Sequence, residues 1–125
     1  VRYLLDTHTL LWALDTPEEL PDTVRRIIEN PSSSLHISIA TPWELATKTQ
    51  SGRLDANDLL DRFEQLAGYN LIETEVSHVI RAGRLPLVHR DPFDRLMVAQ
   101  AMLMGLTLLS CDTIFDRYGA KRIWN

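Results

Sequence analysis

Strands that alternate with helices along a chain of 125 residues predict an α/β fold. The expected form is a three-layer α/β/α sandwich around a parallel sheet of four to five strands. Two further observations support it. The late segment "LMVAQAMLM" is apolar nearly all round, as a helix buried on several sides must be. With 45% hydrophobic residues, the chain can bury a real core as one domain, residues 1–125.

The elements follow in order. "RYLLD" reads as a first strand ending at Asp6, and "THTLLWAL" as a short helix after it. "PDTVRRIIEN" is a second helix, with Val24, Ile27 and Ile28 at helical spacing and Pro21 near its start. In "SLHISI" Leu35, Ile37 and Ile39 alternate with His36 and Ser38, a strand pattern. "TPWELATKTQSG" opens a helix that stops near Gly52. "DANDLLDRFEQLAG" is amphipathic, with Leu59, Leu60, Phe63, Leu66 and Ala67 on one face. "NLIET" predicts a third strand and "SHVIRAGRLP" a short helix ended by Pro86. Asp91 fits an N-cap, Pro92 the first helical position and Gly105 the residue beyond the end of the apolar helix. "LTLLS" is a fourth strand, "DTIFDRYG" a short helix and "AKRIW" a last strand. Parallel pairing through helical crossovers is the natural outcome.

Composition narrows the function classes. No apolar stretch approaches the ~18 residues of a membrane span. The start "VRYLLDTHTLLWALD" is broken by Asp6 and His8, unlike a signal sequence. The lone Cys111 has no intrachain partner, so a cytoplasmic protein is expected. A net charge of −4 argues against coating DNA or a membrane surface through a broad positive field. Eleven arginines against two lysines suit bidentate contacts to phosphate or carboxylate.

In an open parallel sheet, ligands bind beyond the carboxyl ends of the strands. Asp6 closes the first strand and Glu44 lies just past the second. Asp94 sits in the first turn of the buried helix, and Asp112 follows the fourth strand by two residues. All four are therefore expected on one rim. At ~5 Å and an effective dielectric of ~20, each ionised pair repels by roughly 3 kcal/mol. Protonation, arginine or a hard divalent cation must offset this, and oxygen-only ligands favour Mg²⁺ or Mn²⁺ over zinc. Acids with such an ion point to phosphoryl chemistry, with a nuclease the leading case.

Each acid also has a purely structural alternative. Asp6, Asp91 and Asp112 could cap the helices that follow them, and Asp94 could favour a helix dipole. Glu44 closes "TPWE", a capping-box pattern with Thr41. Their joint placement at one rim is what favours a site for Asp6, Glu44, Asp94 and Asp112. Asp91 reads as a cap.

At these residues the chain resembles the PIN-domain ribonucleases, specifically the VapC-type toxins of bacterial toxin–antitoxin pairs. The stretches that carry the resemblance are "LLDTHTLLWAL", "SIATPWELATK", "HRDPFDRLMVAQAMLMGLTLLSCD" and "FDRYGAKRIW", which span nearly the whole chain. The resemblance implies an acidic quartet of Asp6, Glu44, Asp94 and Asp112 that binds Mg²⁺ or Mn²⁺ and activates water to hydrolyse single-stranded regions of transfer or ribosomal RNA. Cleavage would leave a 5′-phosphate and a 3′-hydroxyl. The resemblance also implies that Ser110 supports the site, that the protein forms a homodimer, and that a small antitoxin inhibits it by filling the groove.

Other residues are weaker candidates. Asp116, one turn after Asp112, could add an oxygen or simply face solvent. His8 could order water or polarise a phosphate, against a packing role. Arg90 and Arg95 bracket Asp94 and could meet RNA phosphate, or form surface ion pairs. Lys48 could do the same, or pair with Glu44 at i,i+4. Trp12, Trp43 and Trp124 are expected to pack in the core or a groove, and Cys111 to be buried. His36 is expected to be structural or exposed, while His78 and His89 show no metal spacing with each other. A receiver-like signalling domain would want paired acids after the first strand, where "LLDTH" has one. A non-catalytic binding module would bind the partner without cleaving RNA. A dinucleotide enzyme is disfavoured because no glycine-rich loop follows the first strand.

Overall fold

The computed structural model describes all residues from Val1 to Asn125. Its sheet has five strands: β1 (Arg2–Leu5), β2 (Ser34–Ile37), β3 (Asn70–Leu71), β4 (Thr107–Leu109) and β5 (Arg122–Ile123). The spatial order is β3-β2-β1-β4-β5 and every pairing is parallel. Leu5 lies opposite Ile37 on one side and Leu109 on the other. The two edge strands have only two residues each. Such short edges offer little template for pairing with another chain.

The side-chain alternation of β1 divides the core in two. Leu4 and Leu108 join a cluster with Met97, Val98 and Phe115, while Tyr3, Leu5, Ile37 and Leu109 join one with Leu10, Val24, Leu45 and Leu59. Helices α5 (Val76–Arg84) and α6 (Pro92–Met104) therefore cover one face. Helices α1 (Thr7–Asp15), α2 (Asp22–Glu29) and α4 (Asn57–Asp61) cover the other. Helix α3 (Ala40–Gln50) gives Ala40 to the first cluster and Leu45 to the second, so it straddles the layers. The α/β/α expectation holds, and α6 packs on the sheet, with every residue from Arg95 to Ala101 buried.

The caps follow local chemistry. Asp91 Oδ1 accepts from the N–H groups of Phe93 and Asp94, Pro92 needs no N–H partner, and Gly105 ends α6 at φ +67°. Glu75 and His78 form a reciprocal capping box at α5.

Two helical expectations are modified. The segment 55–68 is not one helix: α4 ends at Asp61 and a 3₁₀ turn spans Phe63–Gln65. Closures over three residues, such as Arg62 N–H to Leu59 O at 3.2 Å and Leu66 N–H to Phe63 O at 3.3 Å, put Phe63 and Leu66 on one line toward the core. Residues Thr113–Tyr118 are likewise 3₁₀, which aligns Phe115 and Tyr118 against the other cluster.

Candidate active site at the sheet edge

The chain runs from β1 outward through β2 to β3, then returns to place β4 on the opposite side of β1. The crevice beyond β1 and β4 is thus the topological switch point, where ligands of open α/β sheets bind. Asp6 emerges there and caps α1, its Oδ1 accepting from Thr9 N–H at 2.9 Å. Its Oδ2 accepts from the hydroxyl of Ser110, which is fully buried. The same Ser110 oxygen accepts from Asp112 N–H at 3.0 Å. One hydroxyl therefore ties together the two acids of this wall.

Glu44 projects from α3. It is only 5% exposed, so its charge needs partners. Thr7 donates its hydroxyl to Oε1 at 2.6 Å, and Lys48 Nζ meets Oε2 at 2.6 Å. The capping-box alternative is corrected by these contacts. Helix α3 already begins at Ala40, so Thr41 lies inside it, and the Thr41 hydroxyl turns to Thr7 at 3.3 Å. Trp43 and Phe93 meet edge to face with ring centroids 4.6 Å apart. Each ring precedes an acid, so this pair brings the first turns of α3 and α6 together.

Asp94 stands opposite, with its Oδ2 2.8 Å from His89 Nε2. Burial pushes its carboxyl up to about 6, and the charges of Asp91 and Glu44 add to the rise, although the His89 hydrogen bond works against it. Asp112 is exposed and gives only Oδ1 to capping, through Ile114 N–H at 3.0 Å.

Asp6, Glu44, Asp94 and Asp112 line a single cleft of about 270 Å³, together with Asp91, His8 and Lys48. The tightest convergence, however, is not within the quartet. The ligand atoms of His89, Asp91 and Asp94 all lie within 4.8 Å of one another, whereas no three of the quartet do. Asp91 already spends one oxygen on the α6 cap, so the four-acid cleft remains the better candidate for a cation that keeps several of its waters.

Several weaker candidates resolve differently. Asp116 does not line the cleft. Arg122 grips it with Nε to Oδ1 and Nη2 to Oδ2, each at 2.9 Å, and holds its carboxyl below the usual range. Arg95 cannot reach a phosphate, because it is 7% exposed and its guanidinium is spent on backbone carbonyls. Arg90 is exposed, and so is His8, whose ring lies 5.7 Å from that of Trp12. Lys48 pairs with Glu44 at i,i+4 while lining the cleft.

Cys111 is exposed on the cleft wall rather than buried. Partial desolvation of the thiol against the cleft wall and the charge of Asp6 raise its pKa, which disfavours the reactive thiolate. Trp12 packs on Trp124 at 5.8 Å as expected, but Trp43 is 54% exposed.

Thr7 and His89 were missed as site residues. Spacing against His78 alone hides the role of His89. The signal was its spacing in "HRDPFD", where the Asp91–Pro92 helix start folds the chain back so that residue 89 meets residue 94.

The family model of the PIN domain matches residues 3–121. No curated protein sequence matches the chain. Among solved structures, VapBC2 from Rickettsia felis, bound to a DNA fragment from its promoter, is similar with a TM-score of 0.71 at 17% identity, covering 100% of each chain. DNA-bound VapBC from Salmonella typhimurium is similar with a TM-score of 0.71 at 20% identity, over 98% of this chain and 96% of that one. VapBC-1 from nontypeable Haemophilus influenzae gives 0.68 at 15% identity, over 98% and 97%. At these identities the structural likeness speaks for the shared fold, and the match from residue 3 to residue 121 speaks for descent: the chain belongs to the PIN domain family.

Proposed function

We propose that the protein is a metal-dependent endoribonuclease, the VapC-type toxin of a toxin–antitoxin pair, acting in the cytoplasm as a single domain. The observation that carries this reading is the cleft at the β1/β4 switch point, where Asp6, Glu44, Asp94 and Asp112 converge from four separate segments. Membership of the PIN domain family and the likeness to VapBC structures support it.

The donor set fits a hard divalent cation. The four side chains offer only oxygen, Asp112 keeps Oδ2 and Asp94 keeps Oδ1 outside the hydrogen bonds described, and Asp94, its pKa raised first by burial, is raised further by the neighbouring charges of Asp91 and Glu44. A Mg²⁺ or Mn²⁺ ion held by these acids would supply Lewis-acid polarisation of phosphate and a lower pKa for water.

The chain's own residues prepare the rest. Ser110 fixes Asp6 beside Asp112, and Thr7 and Lys48 fix Glu44. With its pKa at about 6, Asp94 is largely ionised by neutral pH, so its carboxylate is available to a cation there, whereas at lower pH a cation would compete with a proton. Lys48 in the cleft and exposed Arg90, next in sequence to the cleft residue Asp91, offer positive charge to the backbone of a single-stranded transfer or ribosomal RNA. Water adds to phosphorus as the P–O3′ bond breaks, leaving a 5′-phosphate and a 3′-hydroxyl.

Two surfaces support partners. A groove of about 460 Å³ between α1 and α4 has an apolar floor at Leu11, Leu54 and Leu59 and acids at Asp15, Asp55 and Asp58. It suits a basic amphipathic segment of an antitoxin. Val76, Val79 and Ile80 are exposed on one face of α5, with exposed Trp43 beside Val79, which suits a homodimer contact.

The test is cleavage of single-stranded RNA by the purified protein with Mg²⁺ or Mn²⁺, against EDTA and against D112N. The expected outcome is loss of cleavage in EDTA and a fall of about 100-fold or more in D112N. Undiminished cleavage by either would overturn the assignment.

A further inference from the structure

Arg95 is a buried cation without a carboxylate. Its charge is met instead by five backbone carbonyls. Nη2 donates to Ala82 at 2.8 Å, Leu85 at 2.9 Å and Gly83 at 3.4 Å, and Nη1 donates to Pro86 at 3.1 Å and His89 at 3.2 Å. Ala82 and Gly83 belong to the last turn of α5, whose carbonyls have no helical partner and carry the negative end of the helix dipole. Burying a guanidinium is costly unless its donors are filled, and here the fork geometry of arginine fills them. An apolar residue of similar size would leave the same carbonyls orphaned.

The carbonyls that Arg95 gathers belong to the end of α5 and to the connection that runs from Leu85 into α6, which contains no helix or strand before Pro92. Its other internal tie is Val88 N–H to Pro86 O at 2.9 Å. His89 is the last residue Arg95 holds, and Tyr118 also reaches the His89 carbonyl, at 3.5 Å. With its backbone pinned in this way, His89 sets Nε2 2.8 Å from Asp94 Oδ2, which leaves Oδ1 to the cleft.

We propose that Arg95 is a positioning residue of the acidic cleft: by gathering the carbonyls of the α5–α6 connection it holds His89 against Asp94 and so fixes the orientation of that carboxylate. The proposal rests on reading Asp94 as an acid of the site, and its test separates the two. The first measurement needs no activity. In the intact ¹⁵N-labelled protein at one pH, the His89 ring resonances are recorded for wild type, R95K, R95M and D94N. R95K keeps a charge but cannot span the carbonyls, so its His89 signals should move toward those of D94N or broaden, with the fold intact by circular dichroism. His89 signals that stay at the wild-type position in folded R95K would overturn the proposal, whether or not R95M folds.

The second measurement is Mn²⁺ affinity by calorimetry. R95K and H89A should each raise the dissociation constant about 10- to 100-fold, as loss of a partner that orients a metal-binding carboxylate does. The double variant should lose little more, because both act through one contact. Fully additive losses would overturn the proposal. Wild type that binds no Mn²⁺ would instead overturn the nuclease reading, leaving the ring resonances to decide the role of Arg95.

Discussion

The two walls of the cleft hold the same kind of side chain by different means. On the β1/β4 wall, Asp6 sits where a strand becomes a helix, and its carboxylate accepts from a backbone amide and a buried hydroxyl. On the α6 wall, Asp94 is met by one imidazole carried on an irregular connection, and burial drives its pKa to about 6. The first acid is part of the framework. The second is held in an environment that resists its charge and is suited to accept a cation. A carboxylate built into a cap stabilises the fold, whereas one held under electrostatic stress trades stability for binding.

The largest expected effect tests that difference directly. Asp6→Ala and Asp94→Asn should both abolish cleavage, but they should move stability in opposite directions at neutral pH. Losing Asp6 removes the α1 cap, about 1 kcal/mol, and strands the Ser110 hydroxyl as well. For Asp94, the folded pKa of about 6 lies above the ordinary aspartate value of 3.8. The folded state therefore holds more protons than the unfolded one between those values, and stability falls as pH rises through that window. The loss is roughly 3 kcal/mol once pH exceeds 6, from ~1.4 kcal/mol per pKa unit. D94N should accordingly match wild type near pH 3 and be more stable at pH 7, as thermal melts across pH would show. Mn²⁺ should raise the melting temperature of wild type far more than that of D94N. A pH-independent difference between the two proteins would show that Asp94 is not under stress.

Ser110→Ala should have the next largest effect, confined to the first wall. The hydroxyl serves both Asp6 Oδ2 and Asp112 N–H, so its loss leaves a buried carboxylate oxygen and an amide without their partner. A hydrogen bond to a charged group is worth about 1.5–3 kcal/mol, which sets the expected destabilisation in urea. Cleavage should fall 10- to 100-fold without being abolished, because the four acids remain. Asp94 should be unaffected, so the pH dependence of stability attributed to it should persist in S110A.

The two walls also differ in how far they could be read from the sequence. Asp6, Asp94 and Asp112 each adjoin a strand end or a helix start, Glu44 lies one turn into α3, and the order of these elements is marked by local pattern. Placing them on one rim needed only the rule that parallel strands share a direction. What holds each acid was not legible, because the holders are set by tertiary approach. Thr7 lies 37 residues from Glu44, and Ser110 lies 104 from Asp6; Ser110 was anticipated only through family resemblance. Arg95 misled for a simple geometric reason. Successive residues on a helix are turned by about 100°, so the neighbour of an acid that faces the cleft need not face it too. On α6, Asp94 lines the cleft and Arg95 is buried against the end of α5. Glu44 misled in the opposite sense, since its capping-box pattern assumed a helix start at Thr41 that Ala40 pre-empts.

Asp116 provides the smallest expected effect and a control for the whole comparison. It lies one turn from Asp112 and has the right chemistry for a metal ligand, yet it points to Arg122 and not into the cleft. Arg122 keeps a second tie, donating to the Ser110 carbonyl at 3.1 Å, so removing the Asp116 charge should leave the β4–β5 edge in place. Exposed ion pairs contribute little, and the Asp116 side chain is exposed. Asp116→Asn should therefore cleave RNA at the wild-type rate, bind Mn²⁺ with unchanged affinity and melt close to the wild-type temperature. A fall in Mn²⁺ affinity comparable to that of D112N would move Asp116 into the site and redraw the wall that Asp6 and Ser110 define.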